Sequence, residues 1–249
     1  MTNNNYYHNL INLAAKRSVE STISILGITD KGLRQHLLRE LGGTDGDIGL
    51  LADPVFESMF PWEKSEYVME SLSSGLLLPS LIKAMDQAGD HKFGKDWFPF
   101  KHQIESWKTL ISEKNKSLVV TSGTGSGKTE CFMVPILNDL AKEYEKDYQP
   151  LVGVRALFIY PLNALINSQR ERLRAWTEAY DDGLRFCLFN GNTKENKHKD
   201  QGRFPNEILT RKVMRETPSS MLVTNATMLE YMLVRQIDEP IIKKSQGKL

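Results

Sequence analysis

Cysteine is almost absent from this chain. Only Cys131 and Cys187 occur among 249 residues, at no paired spacing, which excludes a disulfide framework and a zinc ribbon. Histidine is sparse as well. His8, His36, His91, His102 and His198 are scattered, so no Cys/His set has metal-ligand spacing, and no Ser-His-Asp or Cys-His arrangement can be assigned. Nothing approaches the ~20 apolar residues of a membrane span. The start, MTNNNYYHNL, lacks the basic patch and apolar stretch of a signal peptide. No membrane partner is expected, and a reducing, cytoplasmic setting is the default. Charge of one sign is also missing: 32 basic and 31 acidic residues leave a net charge of +1. A nucleic-acid partner must therefore be argued from local features.

What is there is an ordinary globular composition, 40% apolar and 25% charged, long enough to bury a core. The texture changes near residue 95. Residues 1–95 read as a helical accessory region. Leu33, Leu37, Leu38 and Leu41 share a helical face, stopped by Gly42-Gly43-Thr44-Asp45-Gly46-Asp47. Phe56, Met59 and Phe60 form a second apolar cluster, and Leu76 to Met85 a broken helix. From residue 96 to 249 the rhythm is strand and helix. Strands are predicted at Ser117–Thr121, Arg155–Tyr160, Leu184–Phe189 and Ser220–Thr224, helices at Lys128–Glu145, Ala164–Tyr180 and Thr227–Gln236. This alternation implies an α/β fold with a parallel sheet, whose ligands bind at the carboxyl ends of its strands.

The strongest motif is Thr121-Ser122-Gly123-Thr124-Gly125-Ser126-Gly127-Lys128-Thr129. It follows a predicted strand and opens a helix, the context of a phosphate-binding loop. The glycines let the backbone N–H groups of Ser122 through Gly127 turn toward phosphate oxygens, and the helix N-terminus favours an anion. Lys128 can reach the β- and γ-phosphates, and Thr129 can hold magnesium through its hydroxyl. A Gly-rich turn with a chance lysine would not explain the flanking strand and helix.

Three further stretches occur in a fixed order around this loop: Pro99-Phe100-Lys101-His102-Gln103, Tyr160-Pro161-Leu162-Asn163-Ala164-Leu165-Ile166-Asn167-Ser168-Gln169, and Thr224-Asn225-Ala226-Thr227-Met228-Leu229-Glu230-Tyr231. Together with the loop they resemble the N-terminal part of the first RecA-like domain of superfamily 2 DEAD/DEAH-type helicases, the Lhr-like and defence-system helicases in particular. Ser122 stands where that family usually has alanine. The resemblance implies ATP with Mg2+ as cofactors and DNA or RNA as partner. It also implies the remaining C-terminal part of a helicase, or other defence or repair subunits, as further partners. Gln103 is then the adenine-reading glutamine, its amide matching the N6 and N7 edge, with Phe98 or Phe100 stacked on the base. Pro161, Asn163 and Gln169 of the second stretch, and Thr224 and Asn225 of the third, would touch the nucleic-acid backbone, as strand-to-helix corners with free N–H groups can. Leu162, Leu165, Ile166, Met228 and Leu229 are expected to pack inward.

Charge adds softer support. Lys194, Lys197, Lys199, Arg203, Arg211, Lys212 and Arg215 outnumber Glu195, Asp200 and Glu207 between Gly191 and Arg215. Such an excess suits either phosphates or a solvated loop. Arg170, Arg172 and Arg174 alternate faces of one predicted helix. One family element is missing. No strand ends in the Asp-Glu-x-His or Asp-Glu-x-Asp tetrad that holds magnesium and positions the attacking water; Asp238-Glu239-Pro240 suits a turn. Near Ile241 the corresponding strand of the family would begin. The chain is therefore expected to be the N-terminal piece of a longer helicase, binding nucleotide and nucleic acid but inactive alone, with Lys128 and Thr129 as its share of the catalytic groups. Two other readings are a non-catalytic nucleic-acid or partner-binding module, and a P-loop phosphotransferase that would leave the three flanking stretches unexplained.

Overall fold

The computed structural model describes residues 4–43, 49–51, 61–112, 117–161, 163–196, 200 and 202–249. Phe56, Met59 and Phe60, with Leu162, Lys197 and Lys199, lie outside them. Two compact units divide at Pro61 and Trp62, which places residues 62–95 in the second unit.

The first unit holds α1 (Asn4–Ile25) and α2 (Lys31–Gly42), packed on each other. Asp30 caps α2 by accepting from the Leu33 N–H at 2.8 Å, and the predicted leucine face falls on this helix.

In the second unit, residues 63–70 run along 95–101, joined by Ser65 N–H to Pro99 O at 2.7 Å and Met69 N–H to Trp97 O at 2.9 Å. A 3-10 turn over Met69–Ser74 leads to α3 (Pro79–Asp86), with proline at its tolerated first turn. Then come α4 (Lys101–Ser112) and α5 (Lys128–Tyr144). Asn138, fully buried on α5, accepts from the Leu78 N–H at 2.7 Å. This bond ties the segment before α3 to the helix that follows the glycine-rich loop.

The sheet contains β1 (Ala156–Ile159), β2 (Phe186–Leu188), β3 (Glu207–Ile208) and β4 (Met221–Thr224). Its order is β1-β4-β2-β3 and every pairing is parallel. This is the α/β class the alternation predicts. Side-chain alternation divides the core. Phe158, Phe186, Leu188, Met221 and Val223 face a layer containing Leu81, Trp107, Leu137, Leu173 and Trp176. Cys187, Ile208 and Leu222 face the other layer, with Met214, Met228, Met232 and Ile241. The helices between and after the strands are α6 (Asn163–Ser168), α7 (Arg170–Thr177), α8 (Arg211–Glu216), α9 (Ala226–Val234) and α10 (Glu239–Ser245).

Two strand expectations fail, and the single helix expected over Ala164–Tyr180 breaks at Gln169. Ser117–Thr121 forms no strand, and Val119 is 85% exposed. A strand needs a ladder partner, and none of the four sheet strands pairs with it. Residues 239–245 are helical where the resemblance places a strand, with Pro240 in the first turn and Glu239–Lys243 paired at 2.9 Å.

Both thiols are fully buried, and burial pushes each above the ordinary cysteine range. The native chain should therefore give no reaction with an aromatic disulfide reagent, and two equivalents once unfolded. A thiol that titrates at once in the native state would contradict this packing.

Candidate nucleotide pocket and nucleic-acid corner

The glycine-rich loop turns through positive φ at Gly125 (78°) and Gly127 (74°), and Gly127 is the residue before α5. Ser126 is fully buried, its hydroxyl 2.5 Å from that of Ser122. Lys128 Nζ reaches back to donate to Ser122 O at 2.9 Å and Gly123 O at 2.7 Å. The ammonium thus sits over the loop on two carbonyls, which a phosphate could replace. Thr129, half-buried in the first turn of α5, offers one hydroxyl. That fits a magnesium ion held mostly by phosphate and water.

The stretch before α4 braces the loop from behind. Gln103 is 2% exposed; its Oε1 accepts from Phe100 N–H at 2.9 Å and its Nε2 donates to Gly127 O at 3.2 Å. His102 Nε2 donates to Ser126 O at 2.8 Å, with its ring stacked on Phe100 at 13°. The Trp107 indole donates to Glu130 O at 2.8 Å. The amide expected to read adenine is therefore partly engaged in holding the loop. A Cβ on Gly127 would come within 2.3 Å of Gln103 Nε2, so only glycine allows this contact. Phe98 is 48% exposed and Phe100 half-buried. Both line a cleft of about 350 Å³ beside Gly125 and Gly127, which Trp97, Arg172 and Trp176 complete.

A second constellation forms at the carboxyl ends of β1, β4 and β2. Asn225 caps α9, accepting from Met228 N–H at 2.8 Å, and its Nδ2 donates to Asn163 Oδ1 at 3.0 Å. Two of the predicted corners are thus joined side chain to side chain. Pro161 is exposed beside them. Gln169 marks the break between α6 and α7; its Nε2 donates to Ser168 Oγ at 3.1 Å, while its Oε1 is buried without a partner. Thr224 differs from expectation. It is fully buried and donates its hydroxyl to Phe189 O at 2.6 Å, so it shapes the corner from beneath. Ile166 packs inward as expected, whereas Leu165 is 43% exposed.

Asn190, Asn192 and Thr193, outside the sequence motifs, follow β2 at the same end of the sheet. With Asn167, Arg170 and Lys194 they line a cleft of about 270 Å³. A turn of Asn-Gly-Asn directly after an apolar strand is the sequence signal that marks them. Two arginines of the basic stretch make structural bonds, while Arg203 and Lys212 are largely exposed. Arg211 donates to Asn190 O and Thr193 O at 2.8 and 3.0 Å. Arg215 pairs with Asp238 at 2.8 Å and with Glu195, so the Asp238-Glu239 dipeptide serves a helix start and an ion pair. Arg170 and Arg174 converge on buried Glu207, at 3.0 and 2.6 Å. Burial raises the Glu207 carboxyl and the two guanidiniums oppose that rise. Arg172 points the other way, to Glu130 at 2.9 Å.

Residues 100–239 match the DEAD/DEAH box helicase family. Over 152 residues the chain is 35% identical to Druantia protein DruE of Escherichia coli (strain UMEA 4076-1), a match covering 59% of this chain and 8% of DruE. An uncharacterized ATP-dependent helicase of Methanocaldococcus jannaschii, MJ1574, is 28% identical over 144 residues, covering 55% of this chain and 17% of that protein. The crystal structure of the DUF1998 helicase MrfA bound to DNA and AMPPNP aligns with a TM-score of 0.47 at 19% identity, covering 75% of this chain and 22% of that one. The chain thus spans a small part of each of these proteins. Since the family match takes in the glutamine stretch, the loop and both corners, the chain belongs to the DEAD/DEAH box helicases.

Proposed function

We propose that this chain is the ATP- and nucleic-acid-binding segment of a helicase or translocase motor, with residues 96–249 as a partial RecA-like domain. The observation that carries this reading is the loop itself. Positive-φ glycines, a buried serine and a lysine folded over the loop are held by His102 and Gln103 at the mouth of an aromatic cleft. In the parent motor, ATP hydrolysis would drive movement along DNA or RNA. Mg2+, bound with the nucleotide, supplies neutralisation of the phosphate charge. Lys128 contributes a positive charge, Thr129 a hydroxyl, and the loop N–H groups a fixed anion cradle. The 249 residues contain no Asp-Glu-x-His or Asp-Glu-x-Asp tetrad to hold magnesium and orient water, so turnover by this chain alone should be negligible.

The Asn163–Asn225 corner, exposed at the strand ends, provides the nucleic-acid contact in this reading. Fluorescence anisotropy with labelled single-stranded DNA and RNA, with and without AMPPNP, tests it. The double variant Asn163→Asp/Asn225→Asp places two negative charges at that corner, and each should weaken phosphate contact. We expect at least tenfold weaker binding and a reduced salt dependence. Unchanged binding would remove the corner from the interface. Binding indifferent to AMPPNP and to Lys128→Ala would favour a non-catalytic binding module.

A further inference from the structure

Glu130 stands in the first turn of α5, on the helix the phosphate loop opens. Its Oε2 would lie 3.1 Å from a Cβ on Gly127, so a carboxylate borders the anion cradle. Its side chain is only 12% exposed. An uncompensated negative charge in that position would repel a polyphosphate, and low local dielectric would strengthen the repulsion. The compensating charge comes from a distant part of the chain. Arg172, on α7 just past the Gln169 break, brings Nη1 to 2.9 Å from Glu130 Oε1. Its guanidinium lies 5.6 Å from the centre of the Trp176 ring, a distance at which cation–π attraction holds it. Both residues line the aromatic cleft together with Gly125 and Gly127.

We propose that Arg172 is a positioning residue for the nucleotide: it neutralises Glu130 and so makes the cradle hospitable to the phosphate chain. This rests on the nucleotide reading of the loop. It adds a residue that belongs to neither the loop nor the glutamine stretch. Acting through charge, Arg172 should matter in proportion to the negative charge of the ligand. Its loss is felt most for a triphosphate, less for a diphosphate and hardly at all for a nucleoside. Removing Glu130 as well should cancel most of the effect, because the repelling charge is then gone.

The experiment is a double-mutant cycle on the 249-residue chain. Affinities for AMPPNP, ADP and adenosine are measured by calorimetry for wild type, Arg172→Met, Arg172→Lys, Glu130→Gln and Arg172→Met/Glu130→Gln, with Lys128→Ala as reference. Expected for Arg172→Met is AMPPNP binding weakened about tenfold, ADP less, and adenosine within twofold, corresponding to one charge-assisted interaction. Arg172→Lys keeps most of the affinity, and the double variant regains at least half of the loss on a logarithmic scale. Equal weakening of all three ligands would mean that Arg172 only packs the cleft, and an unrecovered double variant would mean that Glu130 is not its target. Either result overturns the proposal. If wild type does not bind AMPPNP, or Lys128→Ala binds it equally well, the nucleotide reading itself fails, and this inference falls with it.

Discussion

Replacing Lys128 with alanine is expected to weaken AMPPNP binding by about 10–100-fold, the range of a charged hydrogen-bonded contact. The ammonium is held at 2.9 and 2.7 Å by the Ser122 and Gly123 carbonyls. Those oxygens fix the ammonium above the loop, where the phosphate chain would lie. Alanine removes the charge and returns the two carbonyls to water. The fold should survive, since Lys128 is half-buried at the helix start and fills no core position. A conservative Lys128→Arg should recover little, because the planar fork cannot occupy the space of a compact ammonium. Equilibrium titration with a fluorescent ATP analogue measures the effect, and circular dichroism checks the fold. Equal affinity in wild type and variant would place nucleotide elsewhere. The same preparations test whether this chain turns over ATP. Nucleic-acid-stimulated ATPase by the 249-residue chain, abolished by Lys128→Ala, would show that other residues serve in place of the tetrad.

Trp107→Ala should produce the largest loss of stability, about 3–5 kcal/mol. The indole is fully buried between α4 and α5, meets Phe93 edge-on at 6.3 Å and donates to Glu130 O at 2.8 Å. Truncation opens a cavity and leaves that carbonyl without its side-chain donor. Against a domain stability of about 5–15 kcal/mol, the loss should lower the melting temperature by roughly 6–20 °C for a unit of this size. Trp107→Phe separates the two contributions, since it keeps most of the volume and removes the donor. It should cost about 1–3 kcal/mol. Differential scanning calorimetry reads both. A shift below about 3 °C for the alanine variant would mean that the two helices are not held together as the geometry implies.

Much of the fold was legible because its signals are local. The helix from Lys128 and the apolar strands over Ala156–Ile159 and Met221–Thr224 follow from neighbours in the chain. Where a partner decides, sequence reading failed. Ser117–Thr121 has strand composition but no ladder, and β3 is two residues long, set by pairing with β2 at Phe186 and Cys187. The helix α10 carried its own signals, Pro240 in the first turn with Lys243 and Lys244 in the last. The family resemblance implies a strand there instead. In the site, residue types were legible and their roles less so. Gln103 and Thr224 were singled out for ligand contact, yet both make buried hydrogen bonds to the backbone. Hydrogen-bond satisfaction depends on what lies across a gap of 24 or 35 residues. Arg172 is the converse case: one of three alternating arginines by sequence, it turns away from its neighbours toward the phosphate-loop helix.

The burial of both thiols has a practical side. Because Cys131 and Cys187 are inaccessible, a cysteine introduced on the surface becomes the one site a maleimide dye or spin label can find. Val119, 85% exposed in the segment before the loop, is a natural place for it. A probe there would report directly on any change in the exposure of the segment that leads into the loop.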